Sequence, residues 1–196
     1  MDWSLFHTVN RWSADSRWAH PFFRSYANYG VVLFAAALAI AGWIGLRDDA
    51  RTLARAIWAA AAAVIALTLN QPLADWVNRA RPFATHRGVL VLVDKSPDPT
   101  FLSDHAVVTG AVAVGLVFAA RRIGLVAIAG ALLMAFTRVY VGAHYPGDVI
   151  VGLAFGGAIA ALGIPLADRW LTPLCVRLRA SAPFSRFVRT GIAQPA

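Results

Sequence analysis

The segment TRVYVGAHYPGDV, Thr137 to Val149, lies between two long apolar runs and carries an arginine, a histidine and an aspartate at fixed intervals. A guanidinium offers a rigid fork of donors suited to phosphate oxygens. His144 and Asp148 stand one helical turn apart, so the carboxylate can hold one imidazole nitrogen and leave the other free. That is the arrangement of an oriented nucleophile or base. Two upstream segments carry related groups: Arg79 and Arg81 in NRARPF, and Ser103, Asp104 and His105 in FLSDH. The backbone N–H groups around Ser103, Asp104 and His105 open an apolar run, and helix N-termini favour anions. His105 has the chemistry of a proton donor to a leaving oxygen. Taken singly, each group has a plainer use: arginines at helix ends anchor interfaces, and a Ser-Asp pair before an apolar run is an N-cap. Convergence on one surface is what would make them a site.

The elements that must bring them together are apolar. Of 196 residues 59% are hydrophobic and 14% charged, where soluble domains carry roughly 25% charged residues. No charge occurs in Val31–Leu46, Ile57–Leu73, Ala106–Ala120, Ile123–Thr137 or Val149–Ala167. The sequence therefore predicts an all-α integral membrane bundle of five transmembrane helices, the third and fourth extending through Asp104–His105 and Arg138–Val141 to reach the interface. Five such runs leave too little polar surface for a soluble protein. Leu5, Phe6, Val9 and Trp12 share a helical face opposite His7, Arg11 and Asp15, which reads as an N-terminal interfacial helix, with a packed first helix of the bundle as the alternative. Thr68, Asn70, Gln71 and Pro72, near the end of the second run, must face protein or a water-filled site. Gly152 and Gly156, at GxxxG spacing, predict close helix packing.

Strict alternation of the spans puts the end of the second, the start of the third, the end of the fourth and the start of the fifth on one side. Arg79, Arg81, Ser103, His105, Arg138, His144 and Asp148 then meet at one surface. Arg47, Arg51, Arg55, Arg121, Arg122, Arg169, Arg177, Arg179, Arg186 and Arg189 fall on the other, so the positive-inside rule turns the reactive face outward, against the opposing count of Arg11, Arg17 and Arg24. The net charge of +8 is spread over loops and tail with no basic stripe interleaved with aromatics, which favours anionic lipid over nucleic acid as partner. Asp2 stands where a cleavable signal would be basic, so the first span is expected to be retained. Cys175 is alone and forms no internal disulfide. Residues 169–196 read as a basic C-terminal tail, either an amphipathic anchor or disordered, behind a membrane domain of residues 1–168.

ARPF (Ala80 to Phe83), FLSDH (Phe101 to His105) and TRVYVGAHYPGD (Thr137 to Asp148) resemble, in order, the three motifs of the type 2 phosphatidic acid phosphatase (PAP2) superfamily. The Ser-Asp-His centre, and SLFHTVNRW with its Asn10, are similar to the bacitracin-resistance type of undecaprenyl diphosphate phosphatase. The resemblance implies a helical membrane bundle and hydrolysis through a phosphohistidine with neither metal nor cofactor. Carried over, it makes His144 the nucleophile, Asp148 its orienter and His105 the acid that protonates the leaving group and later activates water. Arg81, Arg138 and the Ser103–Asp104 turn would hold the phosphoryl oxygens. It implies a polyprenyl diphosphate substrate, most of all undecaprenyl diphosphate, at the outer face of a bacterial plasma membrane, with recycling of a cell-wall carrier lipid and bacitracin tolerance as outcomes. Phosphatidic acid, phosphatidylglycerol phosphate or another prenyl-linked phosphate is the rival substrate, and a catalytically silent scaffold or carrier the rival class. Three positions depart from the pattern. Ala74 stands where a lysine is usual, with Arg79 as candidate substitute; Leu102 replaces a proline, and Thr137 a serine.

Overall fold

A chain in a bilayer must satisfy its backbone internally, and this one does so with helices. The computed structural model describes residues 2–181, and among them there is no strand. The order is α1 (Asp2–Asp15), a 3-10 turn (Arg17–Ala19), α2 (His20–Arg47), α3 (Ala50–Val77), the single turn α4 (Pro82–Thr85), α5 (Asp104–Ala119), α6 (Arg121–Tyr140) and α7 (Pro146–Leu162). Beyond them α8 (Ile164–Leu166), a π-helical stretch (Ala167–Leu171) and α9 (Thr172–Ala180) follow almost without a break. The five apolar runs are thus five helices. Among the described residues four helical segments are long and apolar enough to cross a membrane, and α5, at 16 residues, is shorter.

The short helix is the central one. α5 packs against α3, α6 and α7, and Ala106, Val107, Ala111, Val112, Ala113 and Leu116 are all buried along it. Without a hydrophobic drive between helices in lipid, association depends on close van der Waals contact, which small residues permit. α3 supplies an alanine stripe, Ala54, Ala59, Ala62 and Ala66, all fully buried, and Asn70 continues it toward the reactive end. On α7, a Cβ at Gly156 would sit 2.0 Å from the Val107 carbonyl oxygen, so only glycine lets the two backbones meet. The outward faces, with Val32, Leu33, Val64, Val126, Leu132 and Ile150 exposed, are apolar as lipid contact requires.

Local signals set the ends. Asp49 caps α3, accepting from the N–H groups of Arg51 (3.2 Å) and Thr52 (2.8 Å), which turns the charged RDDARTLAR segment into a tight corner. Asn78 ends α3 in the left-handed conformation (φ 45°), with its N–H on the Ala74 carbonyl. Ala120 alone separates α5 from α6, making them antiparallel neighbours.

Two elements that the sequence left open take definite form. The buried stripe of α1 is Phe6, Asn10 and Ser13, while Leu5 and Trp12 are exposed; α1 packs across α6 and α7 at the reactive end as a helix of the bundle. Asn10 explains the shift, because its side chain pairs both ways with Leu90, donating to the carbonyl (2.8 Å) and accepting from the N–H (3.0 Å). At the other end residues 172–180 are helical, with Cys175 buried against Ala50 and Ala54. Arg179 donates to the carbonyls of Leu46 (3.0 Å) and Arg47 (2.7 Å), capping α2, and Arg55 pairs with Asp168 through two hydrogen bonds of 2.8 and 2.7 Å. The rest of the basic tail, with Arg186 and Arg189, lies outside the described residues.

Candidate active site

The five-residue turn between α6 and α7 is built to present His144. Gly142 adopts φ +80°, and a Cβ there would stand 2.2 Å from the Leu90 carbonyl oxygen, so the turn presses onto the long loop through a residue only glycine can fill. The N–H groups of Ala143 (3.1 Å) and His144 (3.3 Å) both return to the Arg138 carbonyl, which fixes the spacing between that arginine and that histidine. Pro146 begins α7, and Asp148, in its first turn, bends back so that Oδ2 accepts from the Tyr145 N–H at 2.9 Å.

Facing this turn is the start of α5. Asn70 reaches across from α3 and donates to the Leu102 carbonyl (3.1 Å) and to Asp104 Oδ1 (2.7 Å), pinning a turn that has Leu102 in place of a stiffening proline. Val107 N–H closes on the Ser103 carbonyl at 2.9 Å, leaving the N–H groups of Asp104 and His105 at the open helix end.

A cavity of about 290 Å³ lies between these elements. Arg81, Asp104, His105, Arg138 and His144 all line it, and the carboxylates of Asp75, Asp94 and Asp98 stand around them. That is room for a phosphoryl group and several waters. Arg81 is held by the carbonyls of Asp98 (Nε, 2.9 Å) and Ala143 (Nη1, 3.3 Å), which leaves Nη2 available. Arg138 is 8% exposed, and its Nε has no hydrogen-bond partner among the described residues. A buried guanidinium with a spare donor on a cavity wall is a strong oxyanion ligand. His105 is half-buried on the same wall.

His144 is 3% exposed, and its Nδ1 lies 2.9 Å from the Thr100 carbonyl oxygen. A carbonyl only accepts, so Nδ1 carries the proton and Nε2 keeps its lone pair. Burial, with Arg138 and Arg81 close by, pushes the His144 pKa well below the ordinary imidazole value. At neutral pH the ring is therefore uncharged, as a nucleophile must be.

Three site expectations change. Asp148 makes no direct hydrogen bond to His144. Its Oδ2 accepts from Thr100 Oγ1 (2.7 Å) and from the Tyr145 N–H, and its Oδ1 from Arg79 Nη1 (2.7 Å). Capping its own helix has turned the carboxylate away from the ring. Arg79, the candidate replacement for the lysine missing at Ala74, is bound behind the site to Asp148 and to Asp2 (2.6 Å), stacks over Tyr145, and does not line the cavity. Ser103 is fully buried behind the wall; its N–H points to the Asp148 carbonyl at 3.4 Å and its hydroxyl has no partner among the described residues. Asp104 stays at the cavity, but its carboxylate is drawn onto Asn70 and Gln71 (3.2 Å), so only its N–H remains for an anion. Thr100 was missed, since a threonine before an aromatic in a long loop carries no signal of its own.

Among known proteins, the chain is 27% identical over 180 residues, 91% of each chain, to the undecaprenyl-diphosphatase BcrC of Bacillus subtilis. Its fold is similar to that of the crystal structure of Aquifex aeolicus LpxE, with a TM-score of 0.65, 22% identity, and coverage of 84% of this chain and 94% of that one. It is similar too to a transmembrane PAP2-type phosphatidylglycerolphosphate phosphatase from Bacillus subtilis, with a TM-score of 0.64, 20% identity, and coverage of 85% and 86%. Residues 55–171, which run from α3 to the end of the π-helical stretch and so contain every group on the cavity wall, match the PAP2 superfamily, and the chain belongs to that superfamily.

Proposed function

We propose that the protein is a membrane phosphatase that converts undecaprenyl diphosphate, or a close polyprenyl diphosphate, to the monophosphate through a phosphohistidine. The observation that carries this reading is the cavity wall itself, where a neutral, tautomer-fixed imidazole stands with Arg81, Arg138 and His105. Arg138, Arg81 and the open N–H groups of α5 bind the oxygens of the terminal phosphoryl group. Nε2 of His144 attacks phosphorus as the bond to the bridging oxygen breaks, and His105 supplies a proton to the departing lipid phosphate. His105 then takes a proton from water, the water oxygen attacks phosphorus, the P–N bond breaks, and inorganic phosphate leaves. Charge builds on the three equatorial oxygens throughout, so positioning and fixed positive charge supply most of the catalysis. Two arginines can do this without a divalent ion.

The lipid character of the substrate is supported by the surroundings of the cavity, which lies at one end of a bundle whose outer faces are apolar. The similarity to BcrC over nearly the whole length favours a polyprenyl diphosphate over other lipid phosphates.

Purified protein in detergent with a chelator present should release inorganic phosphate from undecaprenyl diphosphate faster than from phosphatidic acid or phosphatidylglycerol phosphate. Release that requires added metal would overturn the metal-free mechanism, and preference for phosphatidic acid would move the substrate to that class.

The same reading turns the cavity toward the outside of a bacterial plasma membrane, with the arginines of the α2–α3 and α5–α6 corners inside. Arg87, exposed on the long loop, reports on this. In intact cells an Arg87→Cys variant should react with an impermeant thiol reagent, while Cys175, buried at the opposite end, stays unlabelled. Protection of the introduced thiol would reverse the orientation.

A further inference from the structure

Asp148 is the most deeply buried carboxylate in the site, at 0% exposure, yet every one of its hydrogen bonds goes elsewhere than to His144. Its only hydrogen-bonded connection to the ring among the described residues passes through Thr100. Resting on the phosphohistidine reading above, we propose that Thr100 is a positioning residue of this enzyme, the hinge through which the Asp148 carboxylate fixes the orientation and tautomer of His144 and stabilises the ring as it becomes cationic.

The proton positions follow from what each atom can do. Asp148 Oδ2, 2.7 Å from Thr100 Oγ1, is a carboxylate oxygen and only accepts, so the threonine O–H points to it. The lone pairs of Oγ1 then remain for His144 Nδ1, 3.1 Å away, and the Thr100 carbonyl oxygen lies 2.9 Å from the same nitrogen. Nδ1–H is thus shared between two acceptors of one residue, and that residue is fully buried. Two acceptors set the ring plane more firmly than one, and Nε2 is left facing the cavity side with its lone pair.

Formation of the Nε2–P bond draws electron density from the ring and makes Nδ1–H a stronger donor. Both Thr100 oxygens then bind it more tightly, and Oγ1 is the better acceptor for having its own proton polarised by a carboxylate. The interaction therefore strengthens between ground state and transition state, which is the condition for acting on kcat. Thr100 is itself immobile: its N–H donates to the Arg79 carbonyl at 2.8 Å, and the Arg79 guanidinium occupies the other oxygen of Asp148. Arg79, Asp148, Thr100 and His144 form one continuous chain that ends at the reacting nitrogen.

The experiment compares Thr100→Val, which keeps the shape and removes the hydroxyl, with Thr100→Ser, which keeps the hydroxyl, each alone and with Asp148→Asn. With undecaprenyl diphosphate, Thr100→Val should lower kcat about tenfold, equivalent to one lost hydrogen bond that tightens in the transition state, and leave KM within about twofold. Thr100→Ser should stay within about threefold of the parent. In the Asp148→Asn background the valine substitution should cost less than about twofold more, since the hinge then has nothing to transmit. Thr100→Ala serves in place of valine if that variant does not fold. Full activity of both hydroxyl-less variants, equal damage from serine and valine, or additive losses in the double variant would overturn the proposal. An activity-independent readout separates it from the functional reading: in histidine-labelled protein, NMR should show the parent His144 as the Nδ1–H tautomer and a redistributed tautomer or shifted titration in Thr100→Val. A parent that shows these spectra but neither hydrolyses the diphosphate nor accumulates phosphoenzyme would refute the function and leave the hinge standing; unchanged spectra in the variant would refute the hinge.

Discussion

His144→Ala is expected to lower phosphate release from undecaprenyl diphosphate by at least about 10⁴-fold, the scale on which removing the nucleophile of a covalent mechanism acts. The size follows from the geometry. Nε2 belongs to the one cavity-wall imidazole whose other nitrogen is held by hydrogen bonds, His105 on the same wall has no such anchor among the described residues, and the arginines are donors only. The substitution also strands a buried Thr100 carbonyl, which costs about 1–3 kcal/mol, so thermal unfolding in detergent must accompany the assay. Rapid acid or base quenching supplies the second readout. The parent should show an acid-labile, base-stable phosphoryl label at this position, and the variant none. Release at the parent rate from a folded variant would remove His144 from the reaction.

The second large effect belongs to Arg138. Its charge is fixed on a wall with a buried Nε that no group among the described residues uses, and it lines the cavity with Arg81 as a preorganised cation for charge that develops on the phosphoryl oxygens. Arg138→Ala should cost about 10²–10³-fold in kcat, the range for losing one preorganised oxyanion donor. Arg138→Lys should recover little, because a point charge lacks the planar fork. Guanidine added to the alanine variant should restore part of the rate, an outcome that a merely unfolded protein would not give. A lysine variant at parent rate would show that only the net charge matters and would reduce Arg138 to an electrostatic background.

Much of this was legible in the chain. Five charge-free runs become five helices because the requirement that creates them, internal satisfaction of the backbone in hydrocarbon, acts on each run separately. Strict alternation then brings Arg81, His105, Arg138 and His144 to one cavity, which needs no knowledge of side-chain contacts. What escaped were the contacts decided by competition for one atom. The spacing of His144 and Asp148 allowed a direct bond, but the carboxylate also begins α7, and capping the helix won. Arg79 could have faced the phosphate, yet Asp2 and Asp148 together offer it two carboxylates at 2.6 and 2.7 Å. The α1 stripe was read for apolar residues, while Asn10 and Ser13 are buried; for Asn10 the reason is its pairing with a loop 80 residues away. Long-range partners of polar side chains leave no periodic trace.

Asp2 touches both Arg79 and the Gly147 N–H, the latter 145 positions downstream at 2.9 Å. Synthesis runs from Asp2 to Gly147 through the four apolar helices α2, α3, α5 and α6. The clasp therefore forms after those helices, and a chain interrupted before α7 has α1 but lacks the Gly147 N–H that holds Asp2.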